Sequence, residues 1–473
     1  MASTATTDGG LVILHLGLGS FHRAHQAVYL DVLREKGDRL WSLAGGNIRP
    51  DMLDTLAALQ RQGGSYTLET VTPRGQRAYR RIASIRKVIP FDASLAGLVE
   101  TGADPATRIV SFTVTEGGYY LDAKDRLDPN YQDLASDLAG RTRITIYAAL
   151  EAILGERMRR KAGPVTLQCC DNLRHNGDRS RGGLLEFLER RGRMDLLAWV
   201  REQTTSPNAM VDRITPRPTA EVRARVKAAT GVDDEAAVMA EDFIQWVIED
   251  RFCNGRPAWE KVGAILVSSV APYEEAKIRI LNATHSCIAW AGTLVGYQYI
   301  HEGTLDPRIR RMGFDYVTED VIPCLSQPGH ESPLDLAAYR DVVLDRFGNP
   351  DICDTNQRVA ADGWSKIPGF MAPTIRERLS RHEPIARVAL LPALFLAFLQ
   401  RWHEGKLPYA YQDGVMDPAV AHAICAAPDP VAALARDPML WGPLAGDPTL
   451  TAALGKAYGE VQAFLATGGR NRA

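Results

Sequence analysis

Two hydrophobic rhythms divide the chain. Through residue 270, short apolar runs alternate with stretches whose apolar residues recur at helical spacing. The first run, Leu11-Val-Ile-Leu-His-Leu16, ends at Gly17-Leu-Gly19-Ser20-Phe21, and residues 24–33 then read as helix. This strand, glycine turn and helix form the opening unit of a nucleotide-binding α/β domain. A second run at 41–44 breaks at Gly45-Gly46-Asn47. Buried strands are also expected at 108–115 and 165–170, with helices over 144–160 and 183–190. Such alternation predicts a Rossmann-like, doubly wound and mostly parallel sheet with helices on both faces.

The rhythm changes near residue 270. Residues 273–302 suit one long helix that is apolar over much of its surface, and helices at 373–380, 385–402, 418–425 and 450–466 follow it. A largely α-helical C-terminal domain is expected, giving domains at 1–270 and 271–473. No internal repeat is visible, and residues 468–473 read as a frayed tail.

Composition narrows the class. With 473 residues, 45% hydrophobic and 24% charged, the chain has material for two or three domains of globular character. A net charge of −2 offers no broad attraction to nucleic acid or anionic lipid. No apolar run is long enough to span a bilayer, and the first residues lack the basic-then-apolar form of a secretory signal. A cytoplasmic address is therefore the expectation. The seven cysteines fall at scattered positions without paired spacing, so no disulfide framework is expected. No CxxC or HExxH occurs, and His22-Arg-Ala-His25 has no acidic or thiolate neighbours, so no metal site is expected.

Gly17 and Gly19 suit a tight turn with close backbone approach to a pyrophosphate, whose charge would rest on the following helix N-terminus. The third glycine of GxGxxG is missing, since Phe21 and His22 occupy its neighbourhood. Asp51, beyond the second strand, is the candidate acid for the adenosine ribose, although it lies further from Gly17 than the usual ~20 positions. A carboxylate there would repel a 2′-phosphate, which favours NAD over NADP, while Arg49 nearby weakens that inference.

Lys277-Ile-Arg-Ile-Leu-Asn282-Ala-Thr-His285 strings an amine, a carboxamide and an imidazole along the long helix. On an ideal α-helix Lys277, His285 and Asn282 lie at about 0°, 80° and 140°, with Glu274 near 60°, all on one broad face. Hydride leaves an alcohol carbon readily only as the hydroxyl proton is lost. A desolvated lysine can take that proton, and carboxamide N–H groups can stabilise the developing alkoxide. Asn172, just past the strand ending near Asp171, could supply a second amide, because ligands of open α/β sheets bind at strand C-termini. Tyr273-Glu-Glu-Ala-Lys277 also fits a YxxxK pattern, but too far down too long a chain for the short-chain dehydrogenases that use it.

With these residues in view, the chain resembles the polyol-specific long-chain dehydrogenases, the mannitol dehydrogenase family, over nearly its whole length. The resemblance rests on Gly17-Leu-Gly-Ser-Phe-His-Arg-Ala-His25, Thr113-Val-Thr-Glu-Gly-Gly-Tyr119 and Cys170-Asp-Asn-Leu-Arg-His-Asn-Gly177. Asn208-Ala-Met-Val-Asp-Arg-Ile-Thr-Pro216, Asn254-Gly-Arg-Pro-Ala-Trp-Glu-Lys261, Pro272-Tyr-Glu-Glu-Ala-Lys277 and Asp362-Gly-Trp-Ser-Lys-Ile-Pro368 extend it. It implies Lys277 as general base, with Asn172 and Asn282 as the amide pair at the reacting oxygen. It implies substrate contacts from Asp212, His285, Arg358 and Lys366, and Glu274 as a proton exit beside the base. Cofactor contacts are expected from Gly17, Gly19, Ser20, Phe21, Asp51, Thr115 and Glu116, with NAD as cofactor and no metal.

Two departures stand out. Met52 follows Asp51 where relatives often carry a second acid, which loosens the expected NAD selectivity. Trp364 replaces a small serine beside Lys366, and its bulk is expected to shorten the pocket toward five-carbon polyols. The stretches Leu43-Ala-Gly-Gly-Asn-Ile-Arg-Pro-Asp51 and Tyr66-Thr-Leu-Glu-Thr-Val-Thr-Pro73 resemble the members that oxidise D-arabinitol. The expected reaction is D-arabinitol to D-xylulose. Alternatives are mannitol to fructose, hexuronate reduction, or a non-catalytic NAD-binding regulator, against which the three groups Lys277, Asn172 and Asn282 argue. The expected partners are a small polyol or ketose and at most a weakly associating second copy; nucleic acid and membrane are not among them.

Overall fold

Among the described residues twelve strands form three sheets, all before residue 270: β1 (Leu11–Leu16), β2 (Trp41–Gly46), β3 (Tyr66–Val71), β4 (Arg77–Ile82), β5 (Ile85–Val88), β6 (Thr107–Phe112), β7 (Val165–Cys169), β8 (Thr204–Thr205), β9 (Ala209–Asp212), β10 (Val238–Glu241), β11 (Gln245–Glu249) and β12 (Ile265–Val267). The computed structural model describes residues 10–122, 124–328 and 331–468. Residues 469–473 of the expected tail, and residues 1–9, lie outside them.

The main sheet runs β5-β2-β1-β6-β7-β8 with every pair parallel. Its order reverses between β1 and β6, so the crevice outside their C-terminal ends is the ligand position for a doubly wound sheet. Strand β1 explains why the sheet is buried on both sides. Val12, Leu14 and Leu16 enter a core with Leu150, Ile153 and Leu184. Ile13 points oppositely, into a core with Leu30, Leu43 and Trp246. An alternating strand with two apolar faces must be covered twice. Two three-stranded sheets, β10-β3-β4 and β12-β11-β9, accompany it. Neither was legible from the sequence.

The chain separates into a unit of residues 1–72 and 76–271 and a unit of residues 73–75 and 272–473. The second is helical among its described residues, with Ala386–His403 packed against Ala283–Val295 and Pro448–Gly468. Trp290 and Phe395 meet there at 4.9 Å between ring centroids.

The single long helix expected over 273–302 is replaced by several pieces. Ala271–Ala276 is α-helical, Lys277–Asn282 is a π-helical turn, and Ala283–Val295 is α-helical again. Gly296 ends it with a left-handed φ of 90°, and Ile300–Leu305 starts a new helix. Glycine in that conformation is the ordinary helix stop. The helix expected over 24–33 is likewise two, Ser20–Ala24 and Gln26–Glu35, parted at His25.

Candidate active site

The glycine turn is built by contacts that leave no room for another residue type at its first position. Gly17 has φ +104°, and a Cβ there would lie 2.5 Å from the Thr113 carbonyl oxygen. Its N–H donates to Gly46 O at 2.9 Å, and Thr113 Oγ1 donates to Gly17 O at 3.1 Å. Gly19 differs: a Cβ there would find nothing nearer than Gly17 O at 4.0 Å. That open side is where a diphosphate backbone can approach. Ser20 and Phe21 begin the next helix, half-buried, with first-turn N–H groups that have no intrahelical partner.

The position of the missing third glycine is filled by a ring stack. His22 is fully buried, with its ring 3.4 Å from that of His15 and 13° from parallel. Burial lowers the His15 pKa to about 3 and holds His22 well below the ordinary histidine range. His25 Nε2 bonds Gln245 O at 2.8 Å, so the His22/His25 pair serves packing. Among the described residues no three His, Cys, Asp or Glu side chains gather as metal ligands would. All seven cysteines are free.

Asn47 joins this turn to the loop after β2, a role the sequence reading missed. Its Oδ1 accepts from Leu18 N–H at 2.9 Å, and its Nδ2 donates to the Asp51 carbonyl at 3.2 Å. Asp51 is exposed there. Arg49 is committed elsewhere, to Asp133, to the Ile144 carbonyl at 3.0 Å and to Tyr120 OH at 3.2 Å. Met52 is exposed and left-handed, with φ 63°.

At the ends of β6 and β7 the structure brings Thr115, Glu116 and Asn172 together. Asn172 Nδ2 donates to Glu116 Oε1 at 3.3 Å. Thr115 has φ 67° and ψ 164°, a region essentially reserved for glycine that costs about 1–3 kcal/mol. Asp171 holds it there, accepting from Val114 N–H at 2.9 Å, Thr115 N–H at 2.9 Å and Tyr119 OH at 2.6 Å. Asp212 is buried at the end of β9, opposite Gln245. Its neighbour Arg213 donates to the carbonyls of Glu241 and Ala24 at 2.9 and 2.6 Å.

In the helical unit, Lys277 and Asn282 are the first and last residues of the π turn. A π turn holds more residues per turn than an α-helix, so residues five apart lie closer around its axis than the separation reckoned for an ideal α-helix. Lys277 is 7% exposed and Glu274 4%. The turn is pinned at Arg279, whose guanidinium donates to Glu377 at 2.6 and 2.8 Å and to Glu275 at 2.8 Å. Tyr316 OH supplies a donor to the Arg279 carbonyl at 2.9 Å.

One turn on, His285 Nε2 lies 3.3 Å from Asp354 Oδ2, and its ring stacks on Phe347 at 4.2 Å. Arg358 grips the same carboxylate through both oxygens, Nε to Oδ1 at 2.6 Å. Burial works to raise the Asp354 pKa, but the nearby His285 ring and the Arg358 bonds outweigh it and hold the carboxyl well below the usual range. Burial also lowers His285, with Lys366 and Arg358 adding to the effect. Lys366 Nζ donates to Val359 O at 2.5 Å. The cluster therefore presents an imidazole, two cations and a carboxylate, a donor and acceptor set suited to a chain of hydroxyls.

Trp364, expected to shorten the pocket, is 3% exposed and packs edge-on to Phe395, 6.3 Å away between centroids.

Residues 11–261 match the model of the mannitol dehydrogenase Rossmann domain, and residues 269–462 that of the mannitol dehydrogenase C-terminal domain. The chain is 62% identical over 458 residues to D-arabinitol 4-dehydrogenase of Ralstonia nicotianae, covering 96% of this chain and 97% of that one. It is 54% identical to D-arabinitol 4-dehydrogenase of Klebsiella pneumoniae, covering 96% and 98%. Its structure is similar to Pseudomonas fluorescens mannitol 2-dehydrogenase in ternary complex with NAD and D-mannitol, with TM-score 0.82 and 34% identity over 98% of this chain and 94% of that one.

Proposed function

Because the chain belongs to the mannitol dehydrogenase family over both of its domains, we propose that it oxidises D-arabinitol at C4 to D-xylulose, with NAD as electron acceptor. The observation that carries the substrate assignment is the near full-length identity to two D-arabinitol 4-dehydrogenases. Oxidation of D-mannitol to fructose is the second reading, favoured by the likeness to the mannitol 2-dehydrogenase complex.

The glycine turn fits a dinucleotide, because the side of Gly19 that a Cβ would fill is open. Gly17, Gly19, Ser20, Phe21, Thr115 and Glu116 would hold it, with Asp51 on the adenosine ribose. NAD, when bound, supplies the two-electron acceptor for the hydride. Asp51 disfavours a 2′-phosphate by charge, and Arg49, held by Asp133, Tyr120 and Ile144, is not offered to one.

Lys277 takes the hydroxyl proton as the C–H hydride departs, leaving a carbonyl. A base must be neutral to accept a proton, so the reaction needs Lys277 in its amine form. Asn172 and Asn282 donate N–H bonds to the reacting oxygen, which stabilises the partial alkoxide. Glu274, buried one helical turn before Lys277, passes the proton on. Asp212, His285, Arg358 and Lys366 bind the remaining hydroxyls.

Following NADH absorbance over four- to six-carbon polyols tests this reading. D-Arabinitol should give the highest kcat/KM. A preference for D-mannitol would overturn the substrate, and a lack of turnover with any polyol would overturn the function.

A further inference from the structure

Three strand ends of the N-terminal unit are tied together by two adjacent knots of buried polar side chains. Asp171, which follows β7, is 7% exposed, so its carboxyl group is largely shielded from solvent. It is satisfied instead by the N–H groups of Val114 and Thr115 and by the Tyr119 hydroxyl, all on the loop after β6. Its own carbonyl accepts from Asn176 Nδ2 at 3.0 Å. Asn176, fully buried, also grips the start of β9, donating to Ala209 O at 2.8 Å and accepting from Ala209 N–H at 2.9 Å. The loop after β6 bears Thr115 and Glu116, residue 172 follows Asp171 directly, and β9 ends at Asp212.

We propose that Asp171 is a positioning residue, which fixes the loop after β6 with Thr115 in a conformation that only glycine adopts freely and thereby sets Thr115, Glu116 and Asn172 for the reaction. This rests on the polyol dehydrogenase reading given above. Only an ionised carboxylate can accept from all three donors at once; an asparagine would turn an NH2 group toward some of them. The three bonds then lose their hold on Thr115, whose φ of 67° relaxes toward the ordinary extended region. Glu116 shifts with it, and so does the Asn172 amide bonded to Glu116 at 3.3 Å. Burial raises the Asp171 pKa from its ordinary value, as expected of a carboxylate kept from water, and the bonds to the loop oppose that rise.

The test is a double-mutant comparison using D-arabinitol, NAD and the full chain. Asp171→Asn should lower kcat/KM for D-arabinitol about 10–100-fold, through both a lower kcat and a higher KM for NAD. In a Thr115→Gly background the same change should cost less than about threefold, because glycine adopts the loop conformation without the strain that the carboxylate must otherwise offset. A residue serving only general stability would produce the same fold-loss in both backgrounds. That result, or Asp171→Asn activity within twofold of the parent, would overturn the proposal. Should Asp171→Asn not fold, Tyr119→Phe replaces it, since it deletes one donor and keeps the ring packing. Its expected loss is about 3–10-fold, again smaller with Thr115→Gly. Wild-type protein in the same assay separates the two ideas: absence of polyol oxidation there defeats the functional reading whatever the variants do.

Discussion

Gly17 and Gly19 should fail in different ways when each gains a single methyl group. At Gly17 the φ of +104° places an alanine in left-handed space, at a cost of about 1–2 kcal/mol. Its Cβ would also lie 2.5 Å from the carbonyl oxygen of Thr113. That atom belongs to the backbone leaving β6, so the ends of β1 and β6 must part, and the bond from Gly17 N–H to Gly46 O is disturbed. A combined penalty of about 3 kcal/mol or more follows, which lowers the Tm of a domain this size by roughly 6–12 °C. At Gly19 the φ is −71° and the nearest atom is 4.0 Å away. Alanine there loses only some helix-capping preference, about 1 kcal/mol at most. Its methyl group nevertheless occupies the approach of the diphosphate, so NADH affinity should fall at least about tenfold, equivalent to ~1.4 kcal/mol. Thermal melts and NADH fluorescence titrations on both variants separate the effects. Wild-type NADH affinity in Gly19→Ala would refute the assignment of this turn, and a wild-type melt for Gly17→Ala would refute the steric argument.

Other residues make independent predictions. His22 is held neutral in the folded chain, so the unfolded chain binds a proton that the folded one refuses as pH falls below ~6.5; stability is intact above that pH and lost below it. His22→Leu should therefore flatten the decline between pH 6.5 and 5 by up to about 1.4 kcal/mol per pH unit in denaturant titrations, and an unchanged slope would contradict the burial. Lys161 ends helix Ile146–Arg160 in a left-handed conformation, φ 55°, so Lys161→Gly should stabilise by about 0.5–1 kcal/mol; a lower Tm would show that its side chain matters. Trp364→Ser should cost about 3–5 kcal/mol as a core deletion while leaving the ratio of D-arabinitol to D-mannitol kcat/KM within twofold. A changed ratio would place Trp364 in the pocket.

The parts of this fold that a sequence can reveal are those with local signatures. Strand β1 was legible to the residue because a buried run of β-formers ends in a glycine that the turn requires. Strand β4 was not, since Arg77-Ala-Tyr-Arg-Arg-Ile82 has too many charges to read as a strand until Glu69 is seen bonding Arg77 and Arg225. Strands β9, β10 and β12 have three or four residues each, too few to show a period. The π turn left no trace in composition, and two of the groups that bond Arg279 within it, Glu377 and Tyr316, come from other segments. The break at Gly296 did have a signal, a glycine after a long apolar stretch. At the candidate site, Lys277 and Asn282 stood out by chemistry. Asp171 and Asn47 did not, since their work is done by hydrogen bonds to backbone distant in sequence.

The central claim is that Lys277 removes the proton from the alcohol. The most direct measurement is kcat for D-arabinitol oxidation in Lys277→Ala, alongside NADH affinity and the pH profile of the parent. The expected results are a fall in kcat of about 10²–10⁴-fold, NADH affinity within about twofold, and parent activity that rises with pH as the amine loses its proton. A variant that keeps kcat within a few-fold of the parent would contradict the account.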